Sequence, residues 1–145
     1  MFCPTKNDVT SVVSSLMDDS LVRDQGLCVR KYVPLRQYDV GINGLPITNE
    51  WRVFCYKNSL VDVDYYWSNY EHCKPYDKKE LPKEAHDVLN KVMQIVSQKI
   101  NFYVVDLAET ENGEWIVIEL NDGQMSGLSC IDPKGFYDRL YKATC

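Results

Sequence analysis

A chain of 145 residues is long enough for about one domain, burying roughly two-thirds of its unfolded surface. Its hydrophobic share of 45% and charged share of 26% are ordinary for a globular protein, and the net charge of −5 comes with scattered basic residues. That balance argues against broad nucleic-acid or anionic-membrane binding, and no run of about eighteen apolar residues offers a bilayer span. No secretory leader follows Met1, so a cytoplasmic location is expected. The six cysteines at 3, 28, 55, 73, 130 and 145 contain no Cys-x-x-Cys pair. Reduced thiols, not a zinc site, are expected, and His72–Cys73 is not expected to bind metal.

In chain order, Asp8 is placed to cap a short helix with the stripe Val9, Val12, Val13, Leu16 and Met17. After Gly26, the run from Leu27 to Val33 reads as a strand entering a connector, and residues 36–48, with Gly41, Gly44 and Pro46, read as a loop. Glu50–Tyr56 alternates, turns at 57–59 and returns over Leu60–Trp67 as a hairpin. Within it Glu50, Arg52, Phe54 and Tyr56 share one face; Trp51, Val53 and Cys55 share the other. Arg52 is expected at the surface, with a polar cleft as the alternative. A polar loop spans 68–81, and Pro82 opens the clearest helix, with Ala85, Val88, Leu89, Val92, Val96 and Ile100 on one face and Met93 as core filler beside them. Asp132-Pro133 caps a last helix with Phe136 and Leu140 inward. Paired hairpins with helices between them predict an α+β fold, a mainly antiparallel sheet with flanking helices.

The most informative segment is the acidic hairpin of Phe102–Asp106 and Trp115–Asn121 around Glu111-Asn112-Gly113-Glu114. Asn-Gly predicts a two-residue turn. Counting outward from it, Glu111 faces Glu114, Ala108 faces Val117, Asp106 faces Glu119 and Val104 faces Asn121. Tyr103, Val105 and Leu107 with Ile116, Ile118 and Leu120 then make an apolar face for the core. The other face gathers Asp106, Glu119 and Asn121 at one end. Opposed carboxylates repel unless a cation lies between them, and these hard oxygen donors suit a magnesium ion that also holds phosphate. The same spacing fits a hairpin whose solvent face is acidic, and a slip of one residue would remove the arrangement.

Four segments, Cys28–Leu35, Asn49–Phe54, Phe102–Asp106 and Val117–Gly123, taken in order, resemble the C-terminal part of an ATP-grasp domain. The likeness is nearest to the small clade that includes cell-division-cycle-type chaperones assembling translation initiation factor two. It implies ATP and Mg²⁺ as cofactors. Backbone around Arg30, Lys31, Tyr32 and Val33 would contact adenine, and Arg52 would face the phosphates as the catalytic and nucleotide-binding cation. Asp106, Glu119 and Asn121 would hold magnesium against the β- and γ-phosphates.

An ATP-grasp site lies between two lobes, and only about 26 residues precede the hinge here, with Lys6 their only lysine. Residues 1–145 are therefore expected to form a single ATP-grasp-like domain lacking most of the N-terminal lobe. The implied activity is part of an ATP-dependent carboxylate–amine ligase. A nucleotide-binding assembly factor without catalysis, or a protein-interaction module, is the alternative. The expected partners are a nucleotide and either a protein partner or the missing lobe.

Overall fold

The chain organises into two units, Met1–Tyr32 and Val33–Cys145, and the computed structural model describes residues 3–20, 23–24, 26–69 and 80–145. His72, Cys73 and most of the predicted loop over 68–81 lie outside the described residues. In the first unit, Thr5 and Asp8 form a reciprocal capping box, the Asp8 carboxylate accepting from the Thr5 N–H at 3.1 Å. The box encloses a 3₁₀ turn, Lys6–Asp8, that leads into α1 (Val9–Asp18). Asp8 thus caps through a preceding turn and makes no side-chain cap bond to α1 itself. The stripe of α1 is amphipathic as expected, though none of its residues is fully buried. The strand expected over 27–33 does not form. A β-prone run becomes a strand only with a ladder partner, and none pairs with it among the described residues.

Residues 36–48 are more ordered than a loop: β1 (Gln37–Val40) and β2 (Pro46–Thr48) pair as a two-stranded antiparallel ribbon. The main sheet follows. Strands β3 (Glu50–Tyr56) and β4 (Ser59–Tyr65) form one hairpin, β5 (Phe102–Glu109) and β6 (Trp115–Asp122) the other, and all pairings are antiparallel in the order β4-β3-β5-β6. Because β4 and β5 both run opposite to β3, they are parallel to each other. The chain between them must cross the sheet, and α2 (Lys83–Val96) makes that crossing.

Alternation assigns each layer its contacts. One face presents Trp51, Val53, Cys55, Val63, Tyr65, Tyr103, Val105 and Leu107, packed on Ala85, Leu89 and Met93 of α2. Ile100 lies beyond α2 and is exposed, because the helix ends before its turn could bring it inward. On the opposite face, α3 (Pro133–Thr144) covers Phe54, Val61 and Val104 with Phe136, and Leu140 packs beside them. The Asp132 carboxylate caps α3 by accepting from the Gly135 N–H at 2.7 Å. Arg139 pairs with Asp62 and ties α3 to β4. Helices therefore flank both sides of an antiparallel sheet, the predicted α+β arrangement.

The acidic hairpin reaches its expected pairing by an unexpected route. Its turn has three residues, not two: the Thr110 N–H donates to the Glu114 carbonyl at 2.8 Å, and Gly113 takes φ +83° in the left-handed region. That extra residue puts Ala108 opposite Ile116 and Leu107 opposite Val117. A bulge at Ile118 then restores the count, so Asp106 faces Glu119 and Val104 faces Asn121. Between turn and bulge, Val117 moves to the α2 face, where it packs on the core. Leu120, on the free edge of β6, stays half exposed, so that face of the hairpin is less completely buried than the alternation implies.

Candidate functional site

The face of the sheet that receives α3 is divided in two. Its apolar half, around Phe54 and Val104, lies under the helix. Its other half carries a row of ionisable residues that are register partners across all four strands: Asp64 on β4, Arg52 on β3, Asp106 on β5 and Glu119 on β6. Register partners in antiparallel strands have Cβ atoms about 5 Å apart on one face. Glu50 and Asn121 lie one alternation step away from this row, on β3 and β6, on the same face.

Arg52 and Asp106 dominate the row. The guanidinium makes a two-pronged contact, Nε donating to Asp106 Oδ1 at 2.9 Å and Nη2 to Oδ2 at 2.7 Å. The side chains are 13% and 1% exposed, so this pair is buried and the surface location expected for Arg52 is corrected. The reason is tertiary: β3 lies inside the sheet beside β5, a pairing between residues 54 apart in sequence. Asp106 holds the guanidinium in its charged form through this hydrogen bond, which outweighs the opposing effect of burial. On its other sides Arg52 lies 4.7 Å from the centroid of the Tyr66 ring, and its Nη1 donates to the Gly127 carbonyl at 3.2 Å.

Charge around the pair is unbalanced. Glu50, 8% exposed, accepts from the Thr48 hydroxyl at 3.2 Å. Burial, reinforced by the Asp106 carboxylate, raises its pKa to about 7. Glu119 is exposed and has no hydrogen-bond or ion-pair partner among the described residues. Asp64 is already occupied: its carboxylate accepts from the Tyr65 N–H, from the Ser68 hydroxyl at 3.0 Å and from the Cys130 N–H at 2.9 Å. One guanidinium thus faces Glu50, Asp106 and Glu119 together.

The loop after β6 borders the row. Asp122 organises its start, accepting from the Gln124 N–H at 2.8 Å through Oδ1 and from the Ser126 hydroxyl through its carbonyl at 2.8 Å. Gly123 is required where the chain passes Phe102, because a Cβ there would lie 2.6 Å from ring atoms. Arg52 and Asp64 then hold Gly127 and Cys130, so the segment 122–130 is tied to the sheet beside the row.

Sequence reasoning named Arg52, Asp106, Glu119 and Asn121, and the structure groups them on one face. Arg30, Lys31, Tyr32 and Val33 form no strand, and Arg30 to Tyr32 belong to the first unit. Glu50, Asp64 and Tyr66 went unassigned. The alternation that puts Glu50 beside Arg52 was legible, whereas the partnership of Asp64 with Arg52 depends on a bulge in the first hairpin at Val61. Two carboxylates and an amide carbonyl are hard donors, and magnesium binds proteins through few such groups with phosphate and water completing its shell. Among the described residues no group of three histidine, cysteine, aspartate or glutamate side chains is placed to hold a metal by itself. The donor set therefore fits magnesium only in company with phosphate oxygens.

The chain matches the model of an ATP-grasp domain family, the third family of its clade, over residues 5–140. This chain belongs to the ATP-grasp domain family. No curated protein and no solved structure gives a significant match. Membership supports nucleotide binding of the ATP-grasp type, and it spans both the first unit and the sheet that carries the ionisable row of this ATP-grasp domain. Among the described residues, no helix is long and apolar enough to cross a membrane. The five described cysteines are free, and burial pushes the Cys55 thiol up to about 12.

Proposed function

We propose that this ATP-grasp domain binds ATP with magnesium on the uncovered half of its sheet. The single observation that carries the reading is the row in which Arg52, Asp106 and Glu119 are register partners, with Asn121 beside them on the same face. In this reading Arg52 contacts the phosphates, while Asp106, Glu119 and Asn121 offer oxygens to the magnesium ion, which neutralises phosphate charge when bound. The backbone of Arg30, Lys31, Tyr32 and Val33 contacts adenine, a role that rests on family likeness alone. The finer chemistry is that of an ATP-dependent carboxylate–amine ligase. A substrate carboxylate attacks the γ-phosphate, ADP leaves, and an amine displaces phosphate from the acyl phosphate. Arg52 would stabilise charge on the transferred phosphoryl group, and Glu50, with its pKa raised to about 7, is the carboxyl group best suited to hold or accept a proton near neutrality.

The test is thermal unfolding of the full chain with and without ATP and magnesium. Ligand at about 100 times its dissociation constant should add about 2.7 kcal/mol to the folded state. The expected stabilisation disappears in Asp106→Asn and in Glu119→Gln. Glu119→Gln is the more informative of the two, because its exposed side chain has no partner whose loss would unfold the protein. An undiminished shift in Glu119→Gln rejects the cation assignment. Phosphate release on offering carboxylates and amines distinguishes ligation from binding without turnover.

A further inference from the structure

Resting on the nucleotide reading above, we infer that Arg52 is a built-in competitor of the divalent cation. Asp106 is shared between them, and cation capture releases the guanidinium fork for phosphate. Both Asp106 oxygens are taken by Arg52, at 2.9 and 2.7 Å, and the carboxylate is 1% exposed. A cation drawn by Glu119 and Asn121 meets an Asp106 that already has a positive partner. Conversely, phosphate approaching Arg52 meets a guanidinium neutralised by Asp106 and ringed by Glu50 and Glu119.

Each ligand alone therefore faces an unfavourable field, and the two together resolve it. The cation takes over neutralisation of Asp106, and phosphate takes over neutralisation of Arg52. The exchange needs little displacement of the guanidinium, whose other neighbours, the Tyr66 ring and the Gly127 carbonyl, belong to a different edge and face of the group. It also sets an order. The metal–nucleotide complex is the ligand, and free nucleotide is excluded by an excess of carboxylates.

Removing Arg52 should then have opposite effects on the two ligands. The probes are Mn²⁺ alone, followed by electron paramagnetic resonance of the free ion, and tripolyphosphate with Mn²⁺, each with the intact chain. Arg52→Met leaves a buried, unpaired Asp106, so the expected melting temperature is roughly 10 °C below wild type. Added Mn²⁺ should recover most of that loss while moving wild type little. Mn²⁺ alone should bind Arg52→Met at least tenfold more tightly than wild type, and tripolyphosphate should bind the Mn²⁺-loaded variant at least tenfold more weakly.

The double variant Arg52→Met/Asp106→Asn removes the buried charge and should lose the gain in Mn²⁺ affinity. If Arg52→Met does not fold, Arg52→Lys keeps the charge without the fork and should still bind Mn²⁺ more tightly than wild type. Equal or weaker Mn²⁺ binding in these single variants overturns the exchange, as does a gain that persists in the double variant. That result leaves the nucleotide reading standing so long as wild type still binds tripolyphosphate with Mn²⁺. Absence of polyphosphate binding by wild type overturns the nucleotide reading instead.

Discussion

Strand β5 carries two arginine-paired carboxylates, Asp106 and Glu109, on its opposite faces, and their surroundings differ in one respect. Glu109 is fully committed: Arg36 Nη1 contacts Oε1 at 2.9 Å, and the Asn49 amide donates to Oε2 at 2.7 Å. Asn49, wholly buried, in turn accepts from the Trp51 indole N–H at 2.9 Å. Backbone bonds close the same corner, Arg36 N–H to the Glu109 carbonyl at 2.8 Å and Glu109 N–H to the Asn49 carbonyl at 3.0 Å. Charges balance there and polar atoms are satisfied, so the network anchors the segment after Pro34 to the sheet. Around Asp106 the same chemistry is left in surplus, with Glu50 and Glu119 beyond what Arg52 can neutralise. A closed polar network specifies structure, whereas an unbalanced one is available to a ligand.

The largest expected effect breaks the closed side of this contrast. Glu109→Ala strands the buried Asn49 amide and should cost about 3 kcal/mol in urea unfolding. The increment from ATP and magnesium should be unchanged, since none of those groups belongs to the row. A diminished increment would show that the two carboxylate sites are coupled.

Next in size is Glu50. Its folded pKa of about 7 lies above its ordinary value of 4.5, so the folded state holds a proton that the unfolded state releases. The corresponding contribution to stability is fully present below pH 4.5 and is lost as pH rises through about 7. Wild type should lose about 2 kcal/mol between pH 5 and pH 8 from this group, and Glu50→Gln should remove that part of the slope. Identical pH profiles for the two proteins would show that Glu50 does not sense the carboxylate surplus.

The smallest effect sharpens the open side. Tyr66→Leu removes the ring beside Arg52 and should lower stability by only about 1 kcal/mol. It should weaken tripolyphosphate binding in the presence of Mn²⁺ by several-fold while leaving Mn²⁺ affinity alone unchanged. Isothermal titration of the two probes separates these effects.

Much of this was legible along the chain. The hairpins, α2 with Met93 in its core face, the Asp132 cap and the sharing of a face by Asp106, Glu119 and Asn121 follow from alternation, helical spacing and turn residues. The Asp106–Glu119 pairing came out as expected because two departures cancel, a three-residue turn and the bulge at Ile118. Neither has a distinct sequence signal, since Asn-Gly suits turns of either length and a bulge in a Val-Ile run leaves its composition unchanged. The ribbon at 37–48 was missed because short strands among glycines resemble a loop. The strand expected at 27–33 failed for the opposite reason, β-propensity without a partner.

Local pattern, then, determined which side chains share a face, because strand geometry repeats every two residues whatever surrounds it. Tertiary structure alone decided which strands are neighbours. Only the packing of Trp51, Val53, Val105 and Leu107 onto α2 sets β3 against β5 in the register that joins Arg52 to Asp106. That contact spans 54 residues and has no turn to dictate it, so its register depends on burial of the opposite face.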